Sequence, residues 1–393
     1  MASTGRARLP YSNKDYQSLL TAALERIPQL TTRWTDFNES DLGVTLLELF
    51  CGIGDMLAYY IDAQAAESYL PTVRQRENAI GLLNLIGYRM DSLVASTTTL
   101  RFSLTSPPSQ NLTIPAGTVC KAVLADAEVF FETVADLIIP TTASTGDIGA
   151  RQGERISEAF SGTNQPFQVL TLTDPDVAHG SVRITIGGQA WDEVAHFVDA
   201  GATTRAFRVQ EDGQGYTRIY FGDGTNGMLP PTGADNITVS YLRTLGALGN
   251  IAPGLVTTPV SVVNDHNNTP VAYEVTNTTA ATGGSDRETL EQARIQAPAE
   301  LRSLWRAVTK EDYLALAVGF PGVAKAQVLD VNNCTNIRYW QVRIAVAPEG
   351  GGDPSQLLMD DLLAFINERR VLTVEVLIDK PTYHGVDISA VVY

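Results

Sequence analysis

Histidine, cysteine and basic charge are all scarce in this 393-residue chain. The four histidines (His179, His196, His266 and His384) are scattered, with no i,i+4 pair and no cysteine beside them. That excludes the usual zinc-ligand spacing, and each reads as a surface or loop residue. The three cysteines (Cys51, Cys120 and Cys334) are odd in number, far apart and without a CxxC. They exclude a disulfide framework and fit a reducing compartment. With 28 Lys+Arg against 44 Asp+Glu, the net charge is −16. Such a field repels nucleic acid and anionic membrane, so neither is expected as a partner. The opening "MASTGRARLPYSNKDY" holds no apolar core of a secretory signal. No run approaches the ~18 apolar residues of a membrane span. A soluble intracellular product is the expectation.

Catalytic signatures are missing too. There is no HExxH, GxSxG or Walker loop. "GIGDM" (Gly52 to Met56) contains a GxG inside a helical pattern but lacks the third glycine and the preceding strand of a dinucleotide site. Close helix packing explains its glycines better, since each costs a helix about 1 kcal/mol against alanine. "FGDGTNG" (Phe221 to Gly227) offers one carboxylate, Asp223, where a calcium loop needs several oxygen ligands, so it reads as a hairpin turn. The acids Glu311–Asp312, Asp360–Asp361 and the "NESD" run at 38–41 read as solvated faces or first-turn charges. No catalytic, cofactor-binding or metal-binding residue is assigned, no cofactor is implied, and the chain is not expected to be an enzyme.

What is present is a 44% hydrophobic chain with room for two or three domains. Residues 1–90 read as a helical bundle region. Apolar positions 42, 46, 49, 50, 53, 57, 60 and 61 keep a period near 3.6 behind a Ser40 or Asp41 cap, covering an arc wide enough for a helix buried between partners. A second helix is predicted from a Thr72–Gln75 capping box to a C′ glycine at Gly87. Residues 91–280 read as all-β, with "TTLRFSL", "VFFETV", "SVRITI", "TRIYFGDG" and "NITVSY" as strands between Gly, Pro, Asn and Asp clusters. Residues 281–393 alternate. Boxes at Ser285–Glu288 and Thr309–Asp312 predict two helices, "GVAKAQVLDV" and "YWQVRIAVAP" are strands, and a helix capped by Asp353 with Pro354 at its first position precedes "LTVEVLIDK" and "GVDISAVVY". The expected fold is a multidomain α+β protein: N-terminal helical region, central all-β region and C-terminal ferredoxin-like α+β module.

In "GGSDRETLEQARIQAPAELRSLWRAVTKEDY", Arg287 and Arg294 are predicted to share one helical face, and Arg302 and Arg306 another. Interleaved Glu288, Glu291, Glu300 and Glu311 favour arginine–carboxylate pairs over a phosphate grip; a solvated helical face is the alternative.

Four stretches in this order resemble the baseplate J-like family. They are the helical "SDLGVTLLELFCGIGDMLAYYIDAQAAESYLPTVRQRENAIGLLNLIGYRM", the block "IYFGDGTNGMLPPTGADNITVSYLRTLGALGNIAPG", the segment from "GGSDRE" through "RAVTKEDY" to "GVAKA", and "YWQVRIAVAPEGG". Asp286-Arg287-Glu288 departs from the commoner Asp-Glu. The resemblance implies a structural wedge component in the baseplate of a contractile tail or injection system, assembled in the bacterial host cytoplasm. The implied partners are a second copy or paralogue, a smaller wedge protein, a sheath initiator, the central hub and spike, and neighbouring wedges in a six-fold ring. A heterotrimeric wedge would relay the contraction trigger to the sheath. The competing reading is a β-rich carbohydrate-binding or carbohydrate-degrading tail protein, which needs clustered exposed aromatics or a facing acid pair. Trp191, Trp305 and Trp340 lie in separate segments, which disfavours it. The candidate interface residues are Leu46, Phe50, Ile53, Leu57, Tyr60, Tyr69, Arg294, Arg306, Val386 and Ile388. The last two belong to "HGVDISAVVY", expected to form an edge strand completed by a further segment or by a partner.

Overall fold

The computed structural model describes residues 12, 14–38, 40–124, 128–198, 200–303, 306–329 and 337–383. The chain divides into two compact units, Met1–Gly87 and Tyr88–Tyr393. The predicted strand holding Val386 and Ile388, and Cys334, lie outside the described residues.

The first unit is helical, with α1 (Tyr16–Leu30), α2 (Leu42–Glu67) and α3 (Arg76–Leu85). Asp15 and Ser18 form a reciprocal capping box at the start of α1. Asp41 caps α2 by accepting the Gly43 and Val44 N–H groups. At 26 residues, α2 is about 39 Å long. By length and composition it is apolar enough to cross a membrane, which corrects the sequence reading. Its apolar stretch is punctuated by glycines and isolated acids, so no unbroken run marks it. The predicted start of α3 is corrected as well. Its N-cap is Gln75, without a side-chain bond, while the Thr72 hydroxyl turns back to the Ala66 carbonyl at 2.7 Å. Glu67, at the end of α2, does the capping by accepting the Arg74 and Gln75 N–H groups at 3.0 and 3.2 Å. Gly87 follows at φ +79°, the left-handed geometry that ends a helix.

The second unit begins with a β-rich body. Its strands are β1 (Thr97–Ser103), β2 (Leu112–Ile114), β3 (Val119–Val123), β4 (Glu128–Thr133), β5 (Leu137–Ile139), β6 (Thr145–Gln152) and β7 (Glu154–Gly162). These are followed by β8 (Val169–Thr171), β9 (Arg183–Ile186), β10 (Gln189–Glu193), β11 (Ala206–Glu211), β12 (Thr217–Phe221) and β13 (Gly233–Arg243). Four short strands complete it: β14 (Val256–Pro259), β15 (Val263–Asn264), β16 (Pro270–Val271) and β17 (Glu274–Asn277). Among the described residues, a six-stranded sheet runs β14-β3-β4-β6-β1-β17 and a seven-stranded sheet runs β7-β13-β9-β10-β11-β12-β8.

Both sheets curl toward closure. In the first, Asn277 of edge strand β17 accepts the Val256 N–H of edge strand β14 at 2.9 Å, around a core that includes Leu100, Phe102, Phe131 and Val256. In the second, Glu158 of β7 accepts the Thr173 hydroxyl just beyond β8 at 2.8 Å, around Ile184, Phe207, Ile219 and Tyr241. The chain passes from one sheet to the other between β6 and β7 at Gly153. Its φ is +144°, and a Cβ there would meet the Arg243 carbonyl at 2.7 Å. Only glycine fits that crossover.

The rest of the unit is α4 (Leu290–Ser303), α5 (Lys310–Val318), β18 (Val323–Leu329), β19 (Gln341–Pro348), α6 (Gln356–Asn367) and β20 (Glu375–Asp379). The α+β alternation is present, but the described sheet is β18-β19-β20, with β18/β19 antiparallel and β19/β20 parallel and adjacent. A ferredoxin-like split needs a strand between the two parallel ones, and here β19 and β20 bond directly. Two predicted caps are also corrected. Thr289 and Gln292, in place of Ser285 and Glu288, form the reciprocal bonds at the start of α4. Ser355, in place of Asp353, caps α6. The Thr309–Asp312 box of α5 is as predicted. Helix α6 ties this portion to the first sheet, through a 2.6 Å hydroxyl contact between Ser355 and Thr97 and a 3.1 Å Asp361–Arg151 pair.

Candidate partner interface

Helix α2 turns the usual arrangement inside out. Its buried positions are Val44, Cys51, Ala58 and Asp62, a stripe of mostly small side chains. Helix α1 packs at this level: a Cβ on Gly54 would lie 2.9 Å from Leu19 Cδ1. Asp62 accepts the Ser12 N–H at 2.7 Å. The large apolar side chains point the other way. Leu42, Leu46, Leu49, Phe50, Ile53, Met56, Leu57, Tyr60 and Ile61 are all exposed, with Phe50 and Tyr60 at 68%.

The spacing of this exposed set is informative. Positions 42, 46, 49, 53, 56 and 60 alternate steps of four and three, and positions 50 and 57 widen the same stripe. A 3.5-residue average is the repeat of a helix that packs along another helix in a left-handed supercoil. Acids Glu48, Asp55 and Asp62 follow each other at seven-residue steps on the opposite side. A membrane span would carry them into hydrocarbon, at a cost of about 2.5–3.5 kcal/mol for an acid at the centre. A one-sided seam between helices leaves them outside it.

The structure therefore places Leu46, Phe50, Ile53, Leu57 and Tyr60 on one exposed stripe, and Tyr69, 59% exposed, just past the end of α2. Met56, 58% exposed, completes the repeat and was not among the predicted residues. Its signal was the heptad, which a 3.6-residue count blurs. Arg294 is drawn in, with its side chain 14% exposed and paired to Glu291. Arg306 is exposed beyond the end of α4. The predicted helical faces fail at both arginine pairs, because α4 starts after Arg287 and ends before Arg306.

Sequence reasoning also missed what the "SDRE" residues hold. Asp286 accepts the Ala247 N–H at 3.3 Å. Arg287 pairs with Glu211 and donates to the Pro175 carbonyl at 2.7 Å. Glu288 is buried, accepting the Tyr88 hydroxyl at 2.6 Å and the Asp91 N–H at 3.0 Å. Three consecutive side chains thus fasten the segment before α4 to four separate stretches of chain. No signal short of the fold reveals such non-local pairing.

Elsewhere the surface offers little chemistry. Among the described residues no group of three or more His, Cys, Asp or Glu is placed to hold a metal. Asp223 bonds the Thr225 and Asn226 N–H groups, which hold its carboxyl below the usual range and make the "FGDG" loop a self-capped turn. Burial pushes the Cys120 thiol up to about 12, away from the thiolate form that reacts. A cavity of about 380 Å³ is lined by residues 104–112, 265–266 and 271–272. It presents no Phe, Tyr or Trp and only one carboxylate, Asp265.

Comparison with known proteins bears on the two ends of this arrangement. Residues 15–85 match the family described as "Bacteriophage baseplate protein, N-terminal domain". Residues 305–379 match "Baseplate J-like central domain". Each end of the chain is thus similar to a baseplate protein domain. The baseplate wedge protein gp6 of Enterobacteria phage T4 is 24% identical over 385 residues, an alignment taking in 88% of this chain. The chain spans 56% of that curated relative's length. A likeness to the anti-feeding prophage baseplate has 14% identity and a TM-score of 0.29, covering 95% of this chain and 73% of the other. One to the type VI secretion TssK-TssF-TssG baseplate subcomplex has 10% identity and a TM-score of 0.18, covering 60% and 48%. At these TM-scores neither likeness defines the fold. The resemblance to the baseplate J-like family, read from four sequence blocks, is borne out by the two family matches and the wedge protein.

Proposed function

We propose that the chain is a structural wedge component of a contractile-tail or injection-system baseplate, assembled through the exposed face of α2. The observation that carries this is the outward four-three repeat from Leu42 to Tyr60. Burying one such Leu, Ile or Phe contributes about 1.5–3 kcal/mol. A row of them left in water therefore supplies a strong drive to associate. The occupant is another helix, from a second copy or paralogue and from a smaller wedge protein. Contacts to the hub and spike, the sheath initiator and neighbouring wedges in a six-fold ring would come from other surfaces, with Arg294, Arg306 and the segment of Val386 and Ile388 as candidates. The unit would relay the contraction trigger and act without catalysis, and it would assemble in the host cytoplasm. The domain division 1–90, 91–280 and 281–393 belongs to the same proposal, the last two packing as one body.

The test is co-expression with the other baseplate components and isolation of the wedge complex. Wild-type chain should enter it, and Phe50→Asp should not. Recovery of the wild-type chain only as a monomer in their presence would overturn the reading. The membrane reading of α2 predicts instead that the chain partitions into neutral lipid vesicles through the same face.

A further inference from the structure

Helix α2 contains three glycines, and two of them are explained within this chain. A Cβ on Gly43 would meet Trp34 Cζ2 at 2.5 Å, and one on Gly54 would meet Leu19 Cδ1 at 2.9 Å. Gly52 is different. Among the described residues, nothing lies within 4 Å of the place its Cβ would take. Glycine weakens a helix interior relative to alanine, and no packing among the described residues offsets that at Gly52. Four side chains border it. Leu49 and Met56, three positions before and four after, are 61% and 58% exposed. Glu48 and Asp55, four before and three after, are half-buried and make no hydrogen bond or ion pair among the described residues. Asp62, the next acid in their row, is buried and accepts the Ser12 N–H at 2.7 Å. Gly52 is therefore a notch of bare backbone between an apolar ridge and two uncommitted carboxylates.

We propose that a helix from a different protein crosses α2 at Gly52 and places a lysine or arginine between Glu48 and Asp55. On the reading of α2 as a partner surface, on which this rests, the helix over Gly52 is then not the α2 of a second copy.

Packed helix axes lie about 8–10 Å apart, depending on the side chains between them, and a glycine at the contact permits the closest approach. A helix seated on the notch also covers Leu49 and Met56, which gives it an apolar drive to stay. The same seating strips water from Glu48 and Asp55. A carboxylate that loses water without gaining a counter-charge is strongly disfavoured, so the occupant has to bring a cation. The α2 of a second copy brings none. Leu42–Glu67 holds Glu48, Asp55, Asp62 and Glu67 and no Lys, Arg or His, so laid over the notch it adds only acid. Seven residues separate Glu48 from Asp55, about 10.5 Å of axis, and a single long basic side chain fits between them.

The experiment uses the complex formed by co-expressing the full chain with the other baseplate components. Gly52→Ala and Gly52→Leu fill the notch by one methyl and by a whole side chain. Both residues favour a helix, so far-ultraviolet circular dichroism and the thermal midpoint of the free chain should be level or higher. The apparent dissociation constant of the complex should nevertheless rise, by roughly tenfold or more for Gly52→Leu. Glu48→Gln/Asp55→Asn keeps the shape and removes the charge. It should weaken the complex several-fold at low salt and flatten its dependence on salt between about 0.05 and about 0.5 M. Wild-type affinity in Gly52→Leu overturns the proposal, as does an unchanged salt dependence in the neutralised pair. A Gly52→Cys disulfide joining two copies of the chain within the complex overturns it too. Exclusion of Phe50→Asp alongside normal entry of Gly52→Leu leaves the partner reading standing and sinks only the crossing at Gly52, whereas a wild-type chain that stays monomeric sinks both.

Discussion

The two units of this chain spend their apolar side chains in opposite ways. In the second unit, Leu100, Phe102, Phe131, Ile184, Phe207, Ile219, Ile344 and Leu362 are buried, around three separate cores. In the first, the longest helix buries Val44, Cys51 and Ala58 and leaves Leu49, Phe50, Leu57 and Tyr60 in water. A unit that hides its small residues and shows its large ones is unfinished as a hydrophobic object. The β-rich unit supplies its own packing, whereas on the proposed function the helical unit would obtain much of its own from partners.

The largest effect that follows is on assembly. Phe50→Asp together with Leu57→Asp should abolish wedge formation, since truncating a central apolar anchor typically costs at least about 2 kcal/mol and a buried charge costs more. The unfolding of the second unit, followed by near-ultraviolet circular dichroism, should be unchanged. An unaltered complex would break the contrast between the units at its root. The complementary change is Phe131→Ala, a fully buried ring in the first sheet's core. It should destabilise the second unit by about 3–5 kcal/mol in denaturant unfolding. Loss of assembly by this variant under conditions where it remains folded would show that the β-rich body also builds the helical interface.

Legibility differed between the units for physical reasons. The helices, the β texture and the Asp41 and Thr309 caps were readable because each depends on neighbours within a few residues. The family resemblance was readable from ordered blocks. The width of the α2 apolar arc led to Leu46, Phe50, Ile53, Leu57 and Tyr60 being expected at a partner surface, and this chain leaves them exposed, although a 3.6-residue count does not by itself say whether the chain covers such an arc. The caps at Thr72, Ser285 and Asp353 failed. Each had a plausible local partner that lost to a competing one: Glu67 from the preceding helix, Thr289 four residues on, and Ser355 two residues on. The ferredoxin-like order failed because strand succession does not state which strands become neighbours, and β19 pairs directly with β20.

A smaller effect sharpens the account of the second unit. Arg287→Ala removes the pairing to Glu211 and the bond to the Pro175 carbonyl. The Glu211 side chain is only 8% exposed, so thermal stability should fall by about 1–3 kcal/mol, with the helical unit's assembly unaffected. Arg287→Lys should recover only part of this, because an ammonium cannot reproduce the fork that reaches both partners. Full recovery by lysine would reduce the residue to a point charge.

The smallest expected effect belongs to Arg294, the arginine the sequence singled out beside Arg306. It pairs with Glu291 one helical turn away, and Glu291 keeps 60% of its side chain in solvent. An i,i+3 pair of this kind contributes about 0.2–0.5 kcal/mol. The recessed guanidinium stem adds packing that alanine would lose. Arg294→Ala should therefore lower stability by roughly 1 kcal/mol or less. Arg294→Met, which keeps most of the stem without the charge, separates packing from pairing: it should lie close to wild type if the stem matters and close to alanine if the charge does. The same variants distinguish a structural arginine from a phosphate ligand. Across a chain of net charge −16, binding to heparin or DNA should be weak at physiological salt and should not change with Arg294→Ala or Arg306→Ala. Tight polyanion binding that these substitutions remove would convert the α4 region from an internal joint into a recognition surface.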